Sequence, residues 1–371
     1  MKASLAPLSP SERKVLDVIW RHGPIARIGI GPLADLSTMS VTRITRELSE
    51  HGLLEEGVQR TGARGQPTRP LTVRADAAFS AGLYFTNRQV QVGLIDLSGR
   101  LLAYETRPCD ADSPGEVARA AVDVIEAALA RGVAPRDRML GVGVALPGDF
   151  ITDRRQINAH EWFPGFRGQD LSAELQAVCP FPIVVENDAA CAALGERLVG
   201  IGQTLSSYFF CHIGHGIGGG LVLNGLLYRG SNGNAGMIGV QFPNDRPRPS
   251  GQDLFATLSA QGVPASDFAD LEDLHPQDCP PLRAWIVRAA QQLRQGLWVT
   301  ARIIDPDAIV IGGRLPRHLL QEVVARVDDA SFCNEGALLP RPRVFASSLG
   351  PTAGVVGAAA APLYERLLIP G

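Results

Sequence analysis

Apolar residues recur at helical spacing near the start of this 371-residue chain, at Val15, Leu16, Ile19 and Trp20. The stretch Ser9-Pro10-Ser11-Glu12 in front of them has the form of a capping box with proline in the first helical turn. Gly23 and Pro24 follow, and this pair is typical of a helix end. The pattern therefore predicts a first helix between Ser9 and Gly23.

A second stripe of the same spacing, Val41, Ile44 and Leu48, predicts a helix over residues 38–51 with Ser37 as its cap. The segment between the two helices, residues 28–35, carries two glycines and a proline. In a helix interior these residues are less favourable than alanine by about 1 kcal/mol per glycine and about 3 kcal/mol for proline. We therefore expect only a very short helix here, which begins at Pro32.

Short apolar pieces at Leu53-Leu54 and Leu71-Thr72-Val73 flank a stretch rich in arginine and glycine, residues 60–69. Strand-like pieces around a basic loop are typical of the wing of a winged helix-turn-helix, although a solvated helical cap with a basic loop would have a similar pattern. Residues 1–75 hold eleven Lys/Arg against seven Asp/Glu, a net charge of +4, whereas the whole chain carries −3. A basic module on an acidic body favours the DNA-binding interpretation.

From residue 79 onward, strand-like runs alternate with helical patterns, which indicates an α/β fold with its site on loops at the carboxyl ends of strands. The most informative stretch follows Tyr208-Phe209-Phe210, where five glycines occur within residues 214–220. Glycine lets backbone N–H groups approach a phosphate or a sugar closely. The same glycines are equally typical of a tight hairpin between buried strands, so the motif alone decides nothing.

Three further motifs accompany this stretch: Gly141-Val142-Gly143-Val144-Ala145-Leu146-Pro147-Gly148, Val184-Val185-Glu186-Asn187-Asp188 and Ile309-Val310-Ile311-Gly312-Gly313. In this order, the set resembles the ROK family of bacterial sugar kinases and sugar-responsive repressors, over about residues 79–371. The resemblance implies an α/β, two-lobed sugar-kinase fold of the actin-like ATPase (ribonuclease H-like) class. The amino-terminal module resembles the winged helix-turn-helix that precedes this fold in the repressor branch.

The resemblance divides the chain into a winged helix-turn-helix domain at residues 1–78 and a ROK domain at residues 79–371. Within the ROK domain we expect one lobe over about 79–190 together with a C-terminal helix from about 351. The other lobe is expected over about 191–350. A chain of this length is too long for one ordinary core, which agrees with such a division.

The outer face of the third predicted helix and the wing supply the candidate DNA contacts. These residues are Thr38, Ser40, Thr42, Arg43, Arg46, Arg64 and Gln66. A homodimer or a dimer of dimers would present such helices to the major grooves of a palindromic double-stranded operator.

In the kinases of the family, the first strand leads into an Asp-x-Gly-Gly-Thr loop that holds magnesium and the phosphates of ATP. Tyr84 stands here at the Asp position, and Thr86 and Asn87 stand at the two glycines. Phosphoryl transfer depends on positioning and charge neutralisation, so these replacements predict that the protein is not an enzyme. Asp188 matches the catalytic base and would act only if the protein were a kinase.

Two other loops resemble the nucleotide-binding elements of the family. The second phosphate loop comprises Gly214, His215, Gly216 and Gly218, and the adenosine loop comprises Gly312 and Gly313. His215 stands where the family usually has Thr or Ser, and we interpret it as structural. Because these glycines also serve close packing, we interpret both loops as vestigial and expect no cofactor.

The resemblance implies ligand contacts at Gly148, Asn158, Asn187, Asp188, Met237 and Val240. A carboxylate next to a carboxamide can bind adjacent sugar hydroxyls, although either side chain could also serve as a helix N-cap. Met237 and Val240 replace a glutamate and a histidine of the family pattern, which makes this wall more apolar. No cluster of Cys or His ligands follows, so we expect no metal.

The six cysteines are scattered without a CxxC pair, which predicts reduced thiols. No apolar run approaches the ~20 residues that span a bilayer, and the first residues lack the apolar core of a secretory signal. We therefore expect a cytoplasmic protein without a membrane partner.

These features together predict a sugar-responsive transcriptional regulator, a repressor of carbohydrate genes with a non-catalytic kinase domain. Its partners are a double-stranded operator and a small-molecule sugar or sugar derivative as effector. Two alternatives stay open at this point: an active ATP-dependent sugar kinase with an appended DNA-binding head, and a regulator that no longer binds any sugar.

Overall fold

The computed structural model describes residues 7–57, 69–86, 88–151, 157–159, 163–333 and 339–368. The chain forms two compact units. Unit 1 takes Met1–Leu146, Ala159–Val185 and Ala358–Gly371, and unit 2 takes Pro147–Asn158 and Glu186–Gly357.

The units do not divide the chain at the residues that were predicted for the lobes. Residues 147–158 belong to unit 2, and unit 2 resumes at Glu186 rather than near residue 191. Hydrogen bonds explain the first difference. The amide of Phe150 donates to Asn234 Oδ1 at 2.8 Å, and Asn234 Nδ2 donates to the Phe150 carbonyl at 2.7 Å. The predicted head, residues 1–78, is part of unit 1.

The head contains three helices and a two-stranded antiparallel sheet. Its elements are α1 (Pro10–His22), α2 (Arg27–Ala34), α3 (Thr38–Glu50), β1 (Leu54–Glu56) and β2 (Leu71–Val73). Ser9 caps α1 in the predicted capping box with Glu12, and Ser37 caps α3. The order of helices and strands is that of a winged helix-turn-helix.

The prediction that the second helix begins at Pro32 is wrong. α2 begins at Arg27, and Pro32 lies inside it. Ile30 and Ala34 are fully buried, and α2 packs against both α1 and α3. Burial of an isoleucine side chain stabilises by roughly 1.5–3 kcal/mol, which offsets much of the unfavourable helix propensity of this segment.

The rest of the chain alternates strands and helices. The strands are β3 (Phe79–Phe85), β4 (Gln89–Asp96), β5 (Leu101–Pro108), β6 (Met139–Leu146), β7 (Gly148–Phe150), β8 (Ile157–Ala159), β9 (Ile183–Asn187), β10 (Tyr208–Ile213), β11 (Ile217–Leu223), β12 (Leu226–Tyr228), β13 (Ala308–Gly313) and β14 (Arg343–Ala346). The helices are α4 (Pro114–Ala130), α5 (Leu171–Val178), α6 (Asp188–Val199), α7 (Gly251–Ser259), α8 (Pro280–Ile304), α9 (Arg317–Val327) and α10 (Ala353–Leu363).

Each unit contains a five-stranded sheet of the same plan. The strand order is β5-β4-β3-β6-β9 in unit 1 and β12-β11-β10-β13-β14 in unit 2. In both sheets an antiparallel hairpin, β3–β4 or β10–β11, is joined by a parallel strand, β6 or β13. The turns of these two hairpins are the positions at which the phosphate loops were predicted.

Within the described residues, none of the helices combines the length and the apolarity that crossing a membrane requires. The 25-residue α8 is amphipathic instead, with Trp285 and Leu293 fully buried in the core of unit 2.

Candidate functional site

The predicted recognition helix, α3, turns a polar and basic face to solvent. Val41, Ile44 and Leu48 are buried on its inner side. The outer side holds the candidate DNA contacts of the helix: Thr38, Thr42, Arg43 and Arg46 are exposed, and Ser40 is half-buried. Arg64 and Gln66 of the wing lie outside the described residues.

Both exposed arginines of α3 contact a glutamate one turn further along the helix. Arg43 Nη1 lies 2.8 Å from Glu47 Oε2, and Arg46 Nε lies 3.7 Å from Glu50 Oε1. Exposed pairs with this spacing are worth only about 0.3–0.5 kcal/mol. The two guanidinium groups can therefore exchange these partners for phosphates or base edges at little cost.

The sequence analysis overlooked Met39, whose side chain is 82% exposed on α3. Met39, Arg43 and Arg46 are four and three residues apart and so share one helical face. That spacing was readable from the sequence, because an apolar residue on an otherwise polar face stands out. An apolar side chain on a recognition helix can contact the methyl group of thymine.

Side-chain contacts hold α2 against the neighbouring elements of the head. Arg27 Nε donates to Thr45 Oγ1 of α3 at 3.0 Å, and Arg27 Nη2 donates to Glu56 of β1. The hydrogen bond from Arg27 lowers the pKa of Glu56, and Arg69 lies 3.6 Å from the same carboxylate. These contacts fix the position of α3 relative to the root of the wing.

In unit 1, the β3–β4 turn stands where the first phosphate loop was predicted. Tyr84 and Thr86 are both buried. The amide of Thr86 donates to the Gln89 carbonyl at 2.9 Å, and the amide of Arg88 donates to Thr86 Oγ1 at 3.3 Å. Asn87 lies outside the described residues. The hydroxyl of Thr86 therefore already accepts a hydrogen bond from a backbone amide of this turn.

In unit 2, the glycine-rich stretch forms the tight β10–β11 hairpin. The amide of Gly214 donates to the Gly216 carbonyl at 3.0 Å. The carbonyls of Gly214 and His215 accept from Gly251 and Gln252, at 2.8 and 2.9 Å. The turn is therefore docked on the amino-terminal end of α7 through its own backbone.

The two glycines of the predicted adenosine loop are required by packing and backbone conformation, whereas those of the second phosphate loop are less constrained. A Cβ on Gly312 would lie 2.6 Å from both Phe210 and Ser347, and Gly313 has a φ of +118° that favours glycine. A Cβ on Gly218 would lie in ordinary contact with Ala189, 3.4 Å away. Gly216 has open space around it.

A buried arginine that the sequence analysis did not select contacts the β10–β11 turn. Arg314, which directly follows Gly313, is only 7% exposed. Its Nη1 lies 3.1 Å from His215 Nδ1, and its Nη2 lies 3.2 and 3.3 Å from the two carboxylate oxygens of Asp267. The guanidinium also stacks on Phe268, 4.7 Å from the ring centroid. We call Arg314, His215 and Asp267 the arginine clamp.

Asn187 is the N-cap of α6, the role that the sequence analysis kept as an alternative to sugar contact. Its Oδ1 accepts from the amides of Ala189 and Ala190, at 2.9 and 3.2 Å. Its Nδ2 donates to the Gly148 carbonyl at 2.8 Å. The structure thereby brings together three predicted ligand residues, Gly148, Asn187 and the adjoining Asp188.

Asp188 is the first residue of α6 and is partly buried. Its Oδ1 accepts from the amide of Ala189 at 2.8 Å, and its Oδ2 lies 3.8 Å from His212 Nε2. Burial raises the pKa of Asp188, and the charges of His212 and Arg314 and the backbone amides at the helix start oppose this shift. Burial lowers the pKa of His212, although the charge of Asp188 opposes this shift.

Asp149 and His212 were not selected from the sequence. Burial and the nearby charge of Asp188 raise the pKa of Asp149, which follows Gly148 directly. His212 is 4% exposed, and neither of its ring nitrogens has a hydrogen-bond partner within the part of the chain that the structure describes. A polar residue inside the strand Tyr208–Ile213 was the one sequence signal for His212.

The remaining predicted ligand residues are more accessible. Asn158 is exposed on β8. Met237 is 38% exposed and Val240 is 74% exposed, on either side of the buried Ile238. Among the residues described, no group of three or more His, Cys, Asp or Glu side chains is arranged to hold a metal ion.

Comparison with known proteins agrees with this architecture. The model of the ROK family matches residues 82–363. The uncharacterized protein y4fQ of Sinorhizobium fredii is 38% identical over 97% of this chain and 92% of that protein. The DNA-binding transcriptional dual regulator NagC of Escherichia coli is 27% identical over 61% of this chain and 55% of that protein.

Among solved structures, a ROK family transcriptional regulator described as a homolog of the E. coli MLC protein has a TM-score of 0.69. It is 22% identical and covers 96% of each chain. The predicted fold class is thereby confirmed: an α/β actin-like ATPase fold preceded by a winged helix-turn-helix. The chain belongs to the ROK family.

Proposed function

We propose that the protein is a sugar-responsive, DNA-binding transcriptional regulator, a repressor of carbohydrate genes, and that its ROK domain does not catalyse phosphoryl transfer. The observation that carries the proposal is the exposed basic face of α3 in a head with the elements of a winged helix-turn-helix. A helix with such a face can bind in the major groove of DNA. Two copies of it, in a homodimer or a dimer of dimers, can bind the two halves of a palindromic operator.

DNA binding is tested by titrating genomic fragments with the full chain at several salt concentrations. We expect a salt-sensitive complex that Arg46→Ala weakens, with a salt slope smaller by about 1 if Arg46 contacts a phosphate. The matched control is Arg131→Ala, which removes an exposed arginine at the end of α4. If the wild-type chain forms no salt-sensitive complex, the regulator proposal fails.

The nucleotide that the family's kinases use does not fit the residues present. On the β3–β4 turn, the buried side chains of Tyr84 and Thr86 stand where the resemblance requires a carboxylate and bare backbone. On the β10–β11 turn, the arginine clamp holds His215 from within unit 2. Side chains of the same unit therefore contact each of the two turns. This supports the proposal that the domain has no kinase activity.

The alternative of an active kinase is tested by a coupled assay with ATP over common hexoses, pentoses and amino sugars. We expect background rates, because loss of even one preorganised charge-stabilising group typically lowers a rate by about 10²–10³. Robust turnover that disappears in Asp188→Ala would establish the kinase instead.

The effector is proposed to bind beside Asn187 and Asp188, with Met237 and Val240 against an apolar face, and to shift the population of DNA-binding states. Asp188→Ala should abolish the effector response while sparing operator affinity, because the variant lacks the carboxylate that pairs with ligand hydroxyls. Calorimetry and operator titration on the same preparations measure the two properties separately. Unchanged effector affinity in Asp188→Ala would place the ligand elsewhere, and no response to any sugar would support a regulator without sugar binding.

A further inference from the structure

The start of α3 presents an apolar side chain to solvent. Met39 is the second residue of this helix, and its side chain is 82% exposed. Methionine is one of the residue types that folded proteins most often bury, although single exposed apolar side chains are common. Met39 by itself therefore says little, and its meaning depends on what surrounds it.

Thr42 adds a second apolar group to the same face of α3. It follows Met39 by three residues, a spacing that makes two side chains neighbours on a helix surface. Its hydroxyl donates to the Thr38 carbonyl at 2.8 Å. Because the hydrogen of this hydroxyl is used within the helix, the methyl group of the exposed side chain is left to contact a partner. We call Met39 and Thr42 the apolar patch.

The hydroxyl of Ser40, between the two members of the patch, is also held within the chain. Ser40 Oγ lies 2.9 Å from Ser37 Oγ, and the Ser40 amide donates to the same Ser37 oxygen at 3.2 Å. The sequence suggests a hydrogen-bonding surface here, because hydroxyl residues alternate around Met39. The structure instead directs the hydroxyls of Ser40 and Thr42 to the chain itself and leaves apolar groups for a partner.

The charge next to the apolar patch restricts the class of partner. Arg43 and Arg46 follow Met39 by four and seven residues, on the same face, and both are exposed. Residues 1–75 carry a net charge of +4. The matching partner combines a small apolar group with nearby negative charge. The major groove of DNA does so where it contains thymine, whose C5-methyl group lies between the phosphate backbones.

We propose that the operator half-site contains a thymine whose C5-methyl group packs against Met39 and Thr42, so that these two side chains select the base by apolar contact. This inference rests on the proposed function, because it names the base that the same helix recognises. In helix-turn-helix proteins, the first residues of the recognition helix contact base edges. Arg43 and Arg46, further along α3, supply contacts to phosphates or to guanine.

The test uses duplexes that the full wild-type chain selects from a random-sequence library. Each thymine of a selected duplex is replaced in turn by deoxyuridine, which lacks only the methyl group. We expect replacement of the contacted thymine to raise the dissociation constant about fourfold, the effect of one buried methyl group. Thymines elsewhere in the duplex should tolerate the replacement.

Two variants assign this difference to the apolar patch. Met39→Ala should weaken binding to the thymine duplex and leave binding to the deoxyuridine duplex unchanged, so the fourfold difference disappears. Thr42→Ser removes a methyl group, keeps the hydroxyl that bonds to Thr38 and should reduce the difference. Ile28→Ala, the matched control, removes an equally exposed apolar side chain from α2 and should retain it. A less stable helix would weaken binding to both duplexes equally, so the difference isolates the contact.

The inference is overturned if no deoxyuridine replacement weakens binding, or if Met39→Ala and Thr42→Ser both keep the full difference. These results are distinguishable from failure of the proposed function. A salt-sensitive complex of equal affinity with the thymine and deoxyuridine duplexes leaves the regulator intact and rejects only the methyl contact. Absence of a salt-sensitive complex with any duplex rejects the regulator, and this inference with it.

Discussion

The β3–β4 hairpin of unit 1 and the β10–β11 hairpin of unit 2 occupy the same place in two sheets of the same plan, but their second strands differ. β4 carries the buried side chains of Val90, Val92 and Leu94. β11 carries three consecutive glycines, Gly218 to Gly220, and α6 lies directly on it. A Cβ on Gly220 would lie 2.5 Å from the Ala189 carbonyl oxygen.

This difference shows that the glycines of the family motif are present for more than one structural reason. At Gly220 the reason is the close approach of a helix backbone, which side chains on β11 would prevent. Gly216 at the turn has no such neighbour. A glycine-rich motif therefore predicts close backbone packing as well as a phosphate site, and the contact of each glycine decides which applies.

The two turns also differ in what closes them. In unit 1 a short polar side chain, Thr86, accepts from the amide of Arg88 at 3.3 Å. In unit 2 a long cationic side chain, Arg314, reaches His215 across 99 residues of sequence. The contact at Thr86 joins residues that are neighbours in the sequence, whereas the contact at Arg314 joins distant segments. We therefore expect the loss of each contact to change the free energy of unfolding by a different amount.

The largest effect is expected for Gly220→Ala, which should lower the free energy of unfolding by about 3 kcal/mol because the new methyl group overlaps backbone atoms of α6. Gly216→Ala is the control and should change stability by less than about 0.5 kcal/mol. Denaturant unfolding of both variants measures the difference. Equal stability of the two variants would mean that packing does not explain the glycines of β11.

Arg314→Met should lower stability by about 2 kcal/mol, because it leaves Asp267 and His215 without their buried partner. The value is below that of a fully buried pair, since the Asp267 side chain is 28% exposed. Arg317→Met removes an exposed arginine at the start of α9 and controls for lost charge. A double-mutant cycle with Asp267→Asn should show coupling, and additive effects would contradict the clamp.

Thr86→Val should lower stability by about 1 kcal/mol, because the amide of Arg88 loses its acceptor while the volume of the side chain is kept. Thr86→Ser retains the hydroxyl and serves as the control for its role at this turn. Hydrogen exchange at the Arg88 amide provides a local measurement. Slow exchange of this amide in Thr86→Val would show that the hydroxyl does not hold the turn.

The smallest effect is expected for Asp188→Asn. Because burial raises the folded-state pKa of Asp188, this carboxyl group favours the folded state below its unfolded pKa and loses that contribution as pH rises through the folded value. Asp188→Asn should therefore gain stability relative to the wild type at neutral pH, with a difference that disappears in acid. Thermal unfolding of both proteins from acid to neutral pH measures this difference in stability. Lower stability of Asp188→Asn than of the wild type at neutral pH would contradict the prediction.

The sequence by itself determined the features that depend on local pattern and motif order. The capping box at Ser9, the buried stripe of α3 and the ROK motifs were readable because neighbouring residues carry each signal. Only the tertiary structure decided the start of α2 at Arg27, the clamp at Arg314 and the hydrogen bond from Asn187 to Gly148. Each of these depends on contacts between segments that are distant in the sequence, such as those of Gly148 and Asn187, which are 39 positions apart. No local sequence pattern records the energy of such contacts.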